Sequence, residues 1–273
     1  MQIGPLALDG PVVMGILNVT PDSFSDGGRF RDRDAALRQA DAMLAEGAGI
    51  LDVGGESTRP GAAEVGVAEE LDRVLPVIEA LRQQTDVPVS IDTSKPDVMR
   101  EAVGAGAALI NDVRALRAPG ALAAAADVGA AVCLMHMQGE PRTMQREPTY
   151  DDVVRDVTGF LRERLEACEL AGIDRERVML DPGFGFGKTH AHNVALLANL
   201  RELAALGRPV LVGLSRKSTL GALTGRDTAD RLAASIAAAT AAVLNGATII
   251  RAHDVAATVD AVRIARAIID AGR

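Results

Sequence analysis

The chain of 273 residues is 48% hydrophobic and 24% charged, which excludes intrinsic disorder and collagen-like repeats. With 29 Lys+Arg against 37 Asp+Glu the formal net charge is −8, so no basic stripe is available to neutralise a nucleic-acid backbone or an anionic membrane surface. Cys133 and Cys168 are too few for a disulfide framework, and the start MQIGPLALDG has neither the basic nor the apolar region of a secretory leader, so a cytoplasmic location is the expectation.

Short apolar, β-branched runs recur along the whole chain: Pro11 to Asn18, Gly49 to Gly55, Val87 to Thr93, Ala108 to Val113, Ala131 to Met137, Arg177 to Gly183, Pro209 to Ser215 and Ala247 to Asp254. They read as buried parallel strands. The segments between them, such as AALRQADAMLAEGA, AEELDRVLPVIEALRQQ and DDVVRDVTGFLRERLEACELAG, are amphipathic, with acidic residues near their starts and Gly near their ends, and read as helices. Eight strand–helix alternations predict a (β/α)8 TIM barrel forming a single domain over 1–273, because a doubly wound sheet uses fewer strands and carries a Gly-rich fingerprint after the first. The stretch Ala233 to Ile250 is interrupted by Ser235, Thr240, Asn245, Gly246 and Thr248, so it is an Ala-rich helix running into a strand and no membrane span is expected.

Two compositional features stand out. The only lysines are Lys95, Lys188 and Lys217, which hints at positions where a compact ammonium is needed and a planar guanidinium is not. Phe24, Phe30, Phe184 and Phe186 sit in Gly-rich polar segments; they are either clamps that hold loops down or a platform for a flat ligand.

Parallel barrels carry their chemistry at the carboxyl ends of the strands. There this chain has Asn18, Asp52 with Glu56, Asp92, Asn111 with Asp112, His136, Asp181, Ser215 to Lys217, and Arg251 with His253. A single Asp after a strand is ordinarily a loop or helix cap; eight polar strand ends in a ring point to a site. Asp92, Asn111, Asp181 and Lys217 together offer acceptors, one amide and one cationic donor, the set that reads the edge of a flat, amino-substituted heterocycle. Arg251 and His253, two apart on one strand, share a face and form an anion clamp or, alternatively, Arg251 braces carboxylates at the rim. Asn18 is a neutral oxygen ligand of the kind Mg²⁺ accepts when diphosphate and water complete its shell. His190 and His192 lack the partners of a transition-metal motif and read as a polar helix start. DPGFGFGK lacks the spacing and Lys-Ser/Thr ending of a P-loop. Lys217 leaves a Schiff-base aldolase open as an alternative.

The motifs NVTPDSFSDGG (Asn18 to Gly28), GGESTRPG (Gly54 to Gly61), SIDTSKP (Ser90 to Pro96), INDV (Ile110 to Val113), LMHMQG (Leu134 to Gly139), DPGFGFGK (Asp181 to Lys188), GLSRKS (Gly213 to Ser218) and RAHDV (Arg251 to Val255) resemble, in the same order, the landmarks of the bacterial dihydropteroate synthase family. The resemblance implies condensation of a hydroxymethyl-dihydropterin diphosphate with p-aminobenzoate, releasing diphosphate, in folate synthesis. It further implies that Asp92, Asn111, Val113, Met135, Asp181, Gly213, Lys217 and Arg251 hold the pterin. Asn18, Arg59, Arg251 and His253 would hold the diphosphate, with Asn18 on Mg²⁺. Phe24, Thr58, Pro60, Phe186, Lys217 and Ser218 would frame the p-aminobenzoate, where sulfonamides bind in this family; Asn18, Arg59, Lys217, Arg251 and His253 would carry catalysis. The family also implies a homodimer. A pterin-dependent methyltransferase has no use for the first loop or the Arg251/His253 pair, and a silent pterin-binding homologue would lack diphosphate release.

Overall fold

The computed structural model describes residues 2–8, 10–20, 28–57, 64–140 and 143–272, with backbone alone at 28–32. After a hairpin of β1 (Gln2–Ile3) and β2 (Leu6–Ala7), eight strands alternate with helices: β3 (Val12–Asn18), β4 (Ile50–Gly54), β5 (Val89–Asp92), β6 (Leu109–Asp112), β7 (Ala131–Met135), β8 (Val178–Asp181), β9 (Leu211–Val212) and β10 (Ile249–Ala252). Each of the eight apolar runs read from sequence contains one of them. They are all parallel, in the order β8-β7-β6-β5-β4-β3-β10-β9. The ring is closed between β8 and β9 by the Leu180–Val210 bridge, where the Leu180 N–H donates to Pro209 O at 2.9 Å. The chain therefore forms a (β/α)8 barrel.

Ten α-helices are described: α1 (Gly28–Ala45), α2 (Val67–Gln84), α3 (Pro96–Gly104), α4 (Ala121–Val128), α5 (Val153–Leu170), α6 (His190–Ala198), α7 (Leu200–Ala204), α8 (Ser218–Thr224), α9 (Leu232–Leu244) and α10 (Val255–Ala271). Local chemistry sets several of their starts. Asp152 accepts from the N–H groups of Val154 and Arg155 at the head of α5, and Thr189 with His192 forms a reciprocal capping box on α6. His192 is thus a helix cap, in keeping with its reading as a polar helix start.

Side-chain alternation splits the strands between two cores. Residues such as Val13, Leu51, Ile91, Ile110, Val132 and Leu180 pack outward against the helices. Their neighbours Met14, Ile50, Leu109, Cys133, Met179, Leu211 and Ile249 fill the barrel interior, where Ile3, Leu6 and Leu8 from the hairpin join them. The hairpin thus plugs the amino-terminal end of the barrel. Its turn is secured where the Gly4 N–H donates to Glu176 O at 3.0 Å. Gly4 has φ +53°, and a Cβ there would meet Arg177 Cγ at 2.8 Å, so a side chain is refused on both counts. Arg177 in turn donates through Nη2 to Ala125 O and Ala130 O at 2.9 and 2.7 Å.

The strand expected over Pro209 to Ser215 is only two residues long, because the chain turns early: the Lys217 N–H donates to Leu214 O at 3.1 Å and Arg216 takes φ 58°. That turn presents Lys217 at the barrel mouth. Phe184 is 1% exposed within the outer core, which makes it a loop clamp.

Leu6→Ala removes a side chain sealed in the barrel floor and should cost about 2–4 kcal/mol, read as a lower urea midpoint.

Candidate active site

Two residues above the apolar floor, four strands turn polar and two others offer a thioether or no side chain. Ile50 is followed by Asp52, Leu109 by Asn111, Cys133 by Met135, Met179 by Asp181, Leu211 by Gly213 and Ile249 by Arg251. Because i and i+2 share a face, the same periodicity that builds the floor aims polar groups into the barrel mouth.

Arg251 spans that mouth. Its Nε donates to Asp52 Oδ2 at 2.6 Å and its Nη2 to Asp92 Oδ2 at 2.8 Å, linking β10 to β4 and β5. Asn111 Nδ2 donates to the same Asp52 oxygen at 3.2 Å. Asp52 is fully buried, and Asn111 and Asp181 nearly so. Arg251 therefore acts as a brace in this arrangement, and a guanidinium satisfying two carboxylates orients both. Although burial opposes it, the charges of Asp52 and Asp92 hold the guanidinium firmly protonated. Burial pushes Asp92 up to about 7 against the pull of Arg251, with Asp52, Glu70 and Asp112 adding to the rise.

Asp181, at the end of β8, accepts from the Gly183 N–H at 2.7 Å. Burial pushes it up to about 6, outweighing that hydrogen bond and the charges of Lys217, Lys188 and Arg251. Lys217 lies with its ammonium 4.3 Å from the centre of the Phe186 ring, a cation–π contact. Burial, then Arg251, pushes it down to about 8. Its stem crosses Gly185, where a Cβ would come within 3.2 Å of Lys217 Cδ. Beside these groups Val113, Met135, Met137, Met144 and Phe186 form an apolar wall. His253 Nδ1 and Ser215 Oγ are 3.1 Å apart. Gly213 leaves space over Arg251, whose Cβ is 3.9 Å from the position a Gly213 Cβ would take. Ser218, exposed, opens α8. Asn18 ends β3 and is half-buried.

Asn18, Asp92, Asn111, Val113, Met135, Asp181, Phe186, Gly213, Lys217, Ser218, Arg251 and His253 thus all lie at the carboxyl ends of the strands or just beyond. Phe24, Thr58, Arg59 and Pro60 lie outside the described residues. Two of the polar strand ends turn away from the mouth. Asp112 accepts from Ser94 Oγ and from the N–H groups of Arg114 and Leu116, so it is a loop cap. His136 faces Lys188, Nδ1 to Nζ 2.9 Å. Asp52 gains the central position that its place in the sequence pattern alone did not give it. Lys95, after β5, is paired with Glu56 and Glu70, and Glu56 accepts the Val65 N–H at 3.0 Å, tying the two flanks of segment 57–64 together.

A barrel mouth lined by carboxylates, an amide, a lysine and a guanidinium, with an apolar wall to one side, has the chemistry of a barrel enzyme's pocket. A family model described as pterin binding enzyme matches residues 14–253. Over 266 residues the chain is 55% identical to the dihydropteroate synthase of Escherichia coli K12, covering 97% of this chain and 94% of that one. A solved structure of the Yersinia pestis dihydropteroate synthase with a sulfonamide drug superimposes with a TM-score of 0.94 at 54% identity, covering 99% of both chains. That of Xanthomonas albilineans dihydropteroate synthase with 4-aminobenzoic acid gives 0.91 at 57% identity, covering 96% of this chain and 94% of the other. The chain belongs to the dihydropteroate synthase family of pterin binding enzymes.

The raised pKa of Asp181 has a stability consequence. From the ordinary 3.8 up to about 6, the folded chain keeps a proton that the unfolded chain has released, so stability falls as pH rises through that window and stays lower above it. Asp181→Asn should therefore be more stable than the parent by about 2–3 kcal/mol near pH 7.5, an advantage that disappears near pH 4; denaturant titrations at the two pH values measure it.

Proposed function

We propose that this chain condenses 6-hydroxymethyl-7,8-dihydropterin diphosphate with p-aminobenzoate to 7,8-dihydropteroate, releasing diphosphate, as a step of folate biosynthesis. The observation that carries the reading is the level of inward groups formed by Asp92, Asn111, Asp181 and Lys217 beside the apolar wall of Val113, Met135 and Phe186. Relatives named for this activity support it, at 55% identity over 97% of the chain.

In this reading Asp181, Asn111 and Asp92 accept from the amidine-like N–H groups of the pterin, and Lys217 donates to its edge. Ionised carboxylates are needed for that recognition, which is why Arg251 is held against Asp52 and Asp92. Val113, Met135 and Gly213 flank the pterin ring. Phe186, Lys217 and Ser218, with Phe24, Thr58 and Pro60, frame the arylamine and the sulfonamides that compete for its place. The carbon–oxygen bond breaks first, its electron pair leaving with diphosphate while the dihydropterin ring nitrogen delocalises the cation. The arylamine nitrogen then donates its lone pair to the methylene carbon and releases one proton. An arylamine is neutral at pH 7, so no strong general base and no covalent enzyme intermediate is needed. Arg251, His253, Asn18 and Arg59 bind the departing diphosphate, and closure over the cation excludes water.

Mg²⁺ is the cofactor we propose, with Asn18 as its protein ligand. Among the described residues no group of three or more His, Cys, Asp or Glu is arranged to hold a metal. Asn18 Oδ1 is 3.7 Å from the position a Gly54 Cβ would occupy, on the side of Asp92, so the donor available is one neutral oxygen at the inner rim. That fits a hard cation whose other ligands are diphosphate oxygens and water. When bound, Mg²⁺ supplies compensation for the charge that develops on the leaving group.

A cytoplasmic homodimer completes the proposal. Among the described residues no helix is long and apolar enough to cross a membrane. The dimer is what the family resemblance suggests, and Leu223, Leu232, Ile264 and Ile268 are exposed on the last three helices.

The deciding experiment is diphosphate release from the dihydropterin diphosphate with Mg²⁺, with and without p-aminobenzoate; release that yields no dihydropteroate when the amine is present overturns the reading. Asp181→Asn should weaken pterin binding by about 100-fold, the loss of a charged double acceptor, as read by calorimetry. His253→Ala should weaken the diphosphate substrate at least tenfold more than a pterin lacking diphosphate; equal losses would remove His253 from the anion site.

A further inference from the structure

Lys188 follows the glycine-rich arc Gly183 to Gly187, and its side chain is 2% exposed. Its Nζ lies 3.0 Å from Gly183 O, 3.0 Å from Phe186 O, 3.3 Å from His136 O and 2.9 Å from His136 Nδ1. Four acceptors converge on one nitrogen, a task for a compact ammonium that a planar guanidinium cannot perform. His136, pushed down to about 3 by burial and by Lys188 itself, is neutral and free to accept.

The arc needs such a pin. Gly183, Gly185 and Gly187 have φ +69°, +79° and +61°, and a Cβ would meet His136 O at 1.9 Å on Gly183 and Gln138 O at 2.3 Å on Gly187. The arc therefore lies backbone against backbone on the chain leaving β7, anchored on one side by the buried Phe184 ring, with nothing but hydrogen on its three glycine turns. Polar donors hold the glycine turns: Lys188 takes the carbonyls of Gly183 and Phe186, Tyr150 Oη donates to Gly187 O at 2.7 Å, and Gln145 donates to Gly185 O. What the arc carries belongs to the site. The Gly183 N–H is on Asp181 and the Phe186 ring lies against the Lys217 ammonium.

We infer that Lys188 is a positioning residue for the arylamine side of the pocket: its buried ammonium gathers the arc's carbonyls and thereby fixes Phe186 against Lys217 and the Gly183 N–H on Asp181. This rests on the function proposed above. It also gives the ammonium a second effect, because its charge favours the ionised form of Asp181.

Lys188→Met keeps the length and removes the donor. Burial pushes Lys188 down to about 7, so the comparison is made at pH 6.5, where it carries its proton: at saturating dihydropterin diphosphate the KM for p-aminobenzoate should rise at least tenfold while pterin affinity changes less than threefold, and the acid limb of the pH profile for pterin binding should move upward. Phe186→Ala should add little to the KM defect in the Lys188→Met background. A merely structural lysine would lower melting temperature and active fraction and leave KM, the acid limb and the additivity of the two substitutions unchanged, and that result overturns the inference. If Lys188→Met does not fold, Tyr150→Phe removes a different donor from the same arc and should raise the amine KM about threefold; an unchanged KM there counts against the inference. Amide exchange at Gly183, Gly185 and Phe186 should accelerate at least tenfold in either variant. That readout stands even if the parent shows no turnover, in which case the functional reading fails and unaltered exchange alone would sink the role of Lys188.

Discussion

One guanidinium reaching across the barrel organises the mouth. Arg251 enters from β10 and satisfies carboxylates on β4 and β5, strands that are not its neighbours in the ring. In a closed interior two carboxylates at this depth would repel and be driven toward their neutral forms. A single cation between them makes the pair tolerable and fixes the direction in which each presents its remaining oxygen. Asn111 completes the same oxygen of Asp52, so four strands, β4, β5, β6 and β10, are registered to one another by polar contacts above the level where apolar packing does that work.

The balance is incomplete within the chain, and the incompleteness has a direction. Asp52 Oδ1 and Ser90 Oγ are buried and have no hydrogen-bond partner among the described residues, and Asp92 and Asp181 sit well above the ordinary carboxylate value. A buried polar atom without a partner costs about 1–3 kcal/mol. An interior that keeps excess acceptor capacity is costly for the fold and suited to a ligand rich in N–H donors. The floor below offsets the cost with close-packed Met14, Ile50, Leu109, Met179 and Ile249 sealed by the hairpin.

Much of this was legible because strand periodicity is simple. Any apolar run of a parallel barrel announces a strand, and the polar residue near its carboxyl end announces the mouth, so Asp92, Asn111, Asp181 and Arg251 could be picked out one by one. The rule is blind to which way a residue faces. Asp112 and His136 occupy the same kind of position, yet Asp112 is one residue out of phase with Asn111 and caps a turn, and His136 turns to Lys188. Two-residue strands carry too little pattern to be read, and so the hairpin of β1 and β2 was invisible although the Gly4-Pro5 pair marks its turn. Phe184 and Phe186 are two residues apart in one motif and went to opposite fates, clamp and wall, which sequence composition does not separate.

The three lysines show how a compositional hint becomes structural. In a chain that otherwise uses Arg for its positive charge, Lys95 is held by two carboxylates, Lys188 by carbonyls and an imidazole nitrogen, and Lys217 lies on an aromatic face. Around Lys188 the acceptors close on a single point, which a planar, five-donor fork that needs room for its whole plane does not suit. Each lysine also sits where a loop leaves the barrel, after β5, after β8 and after β9. The chain thus places its three compact ammonium groups at junctions between rigid strands and the segments that leave them, while the reach across the interior is made by a guanidinium, that of Arg251.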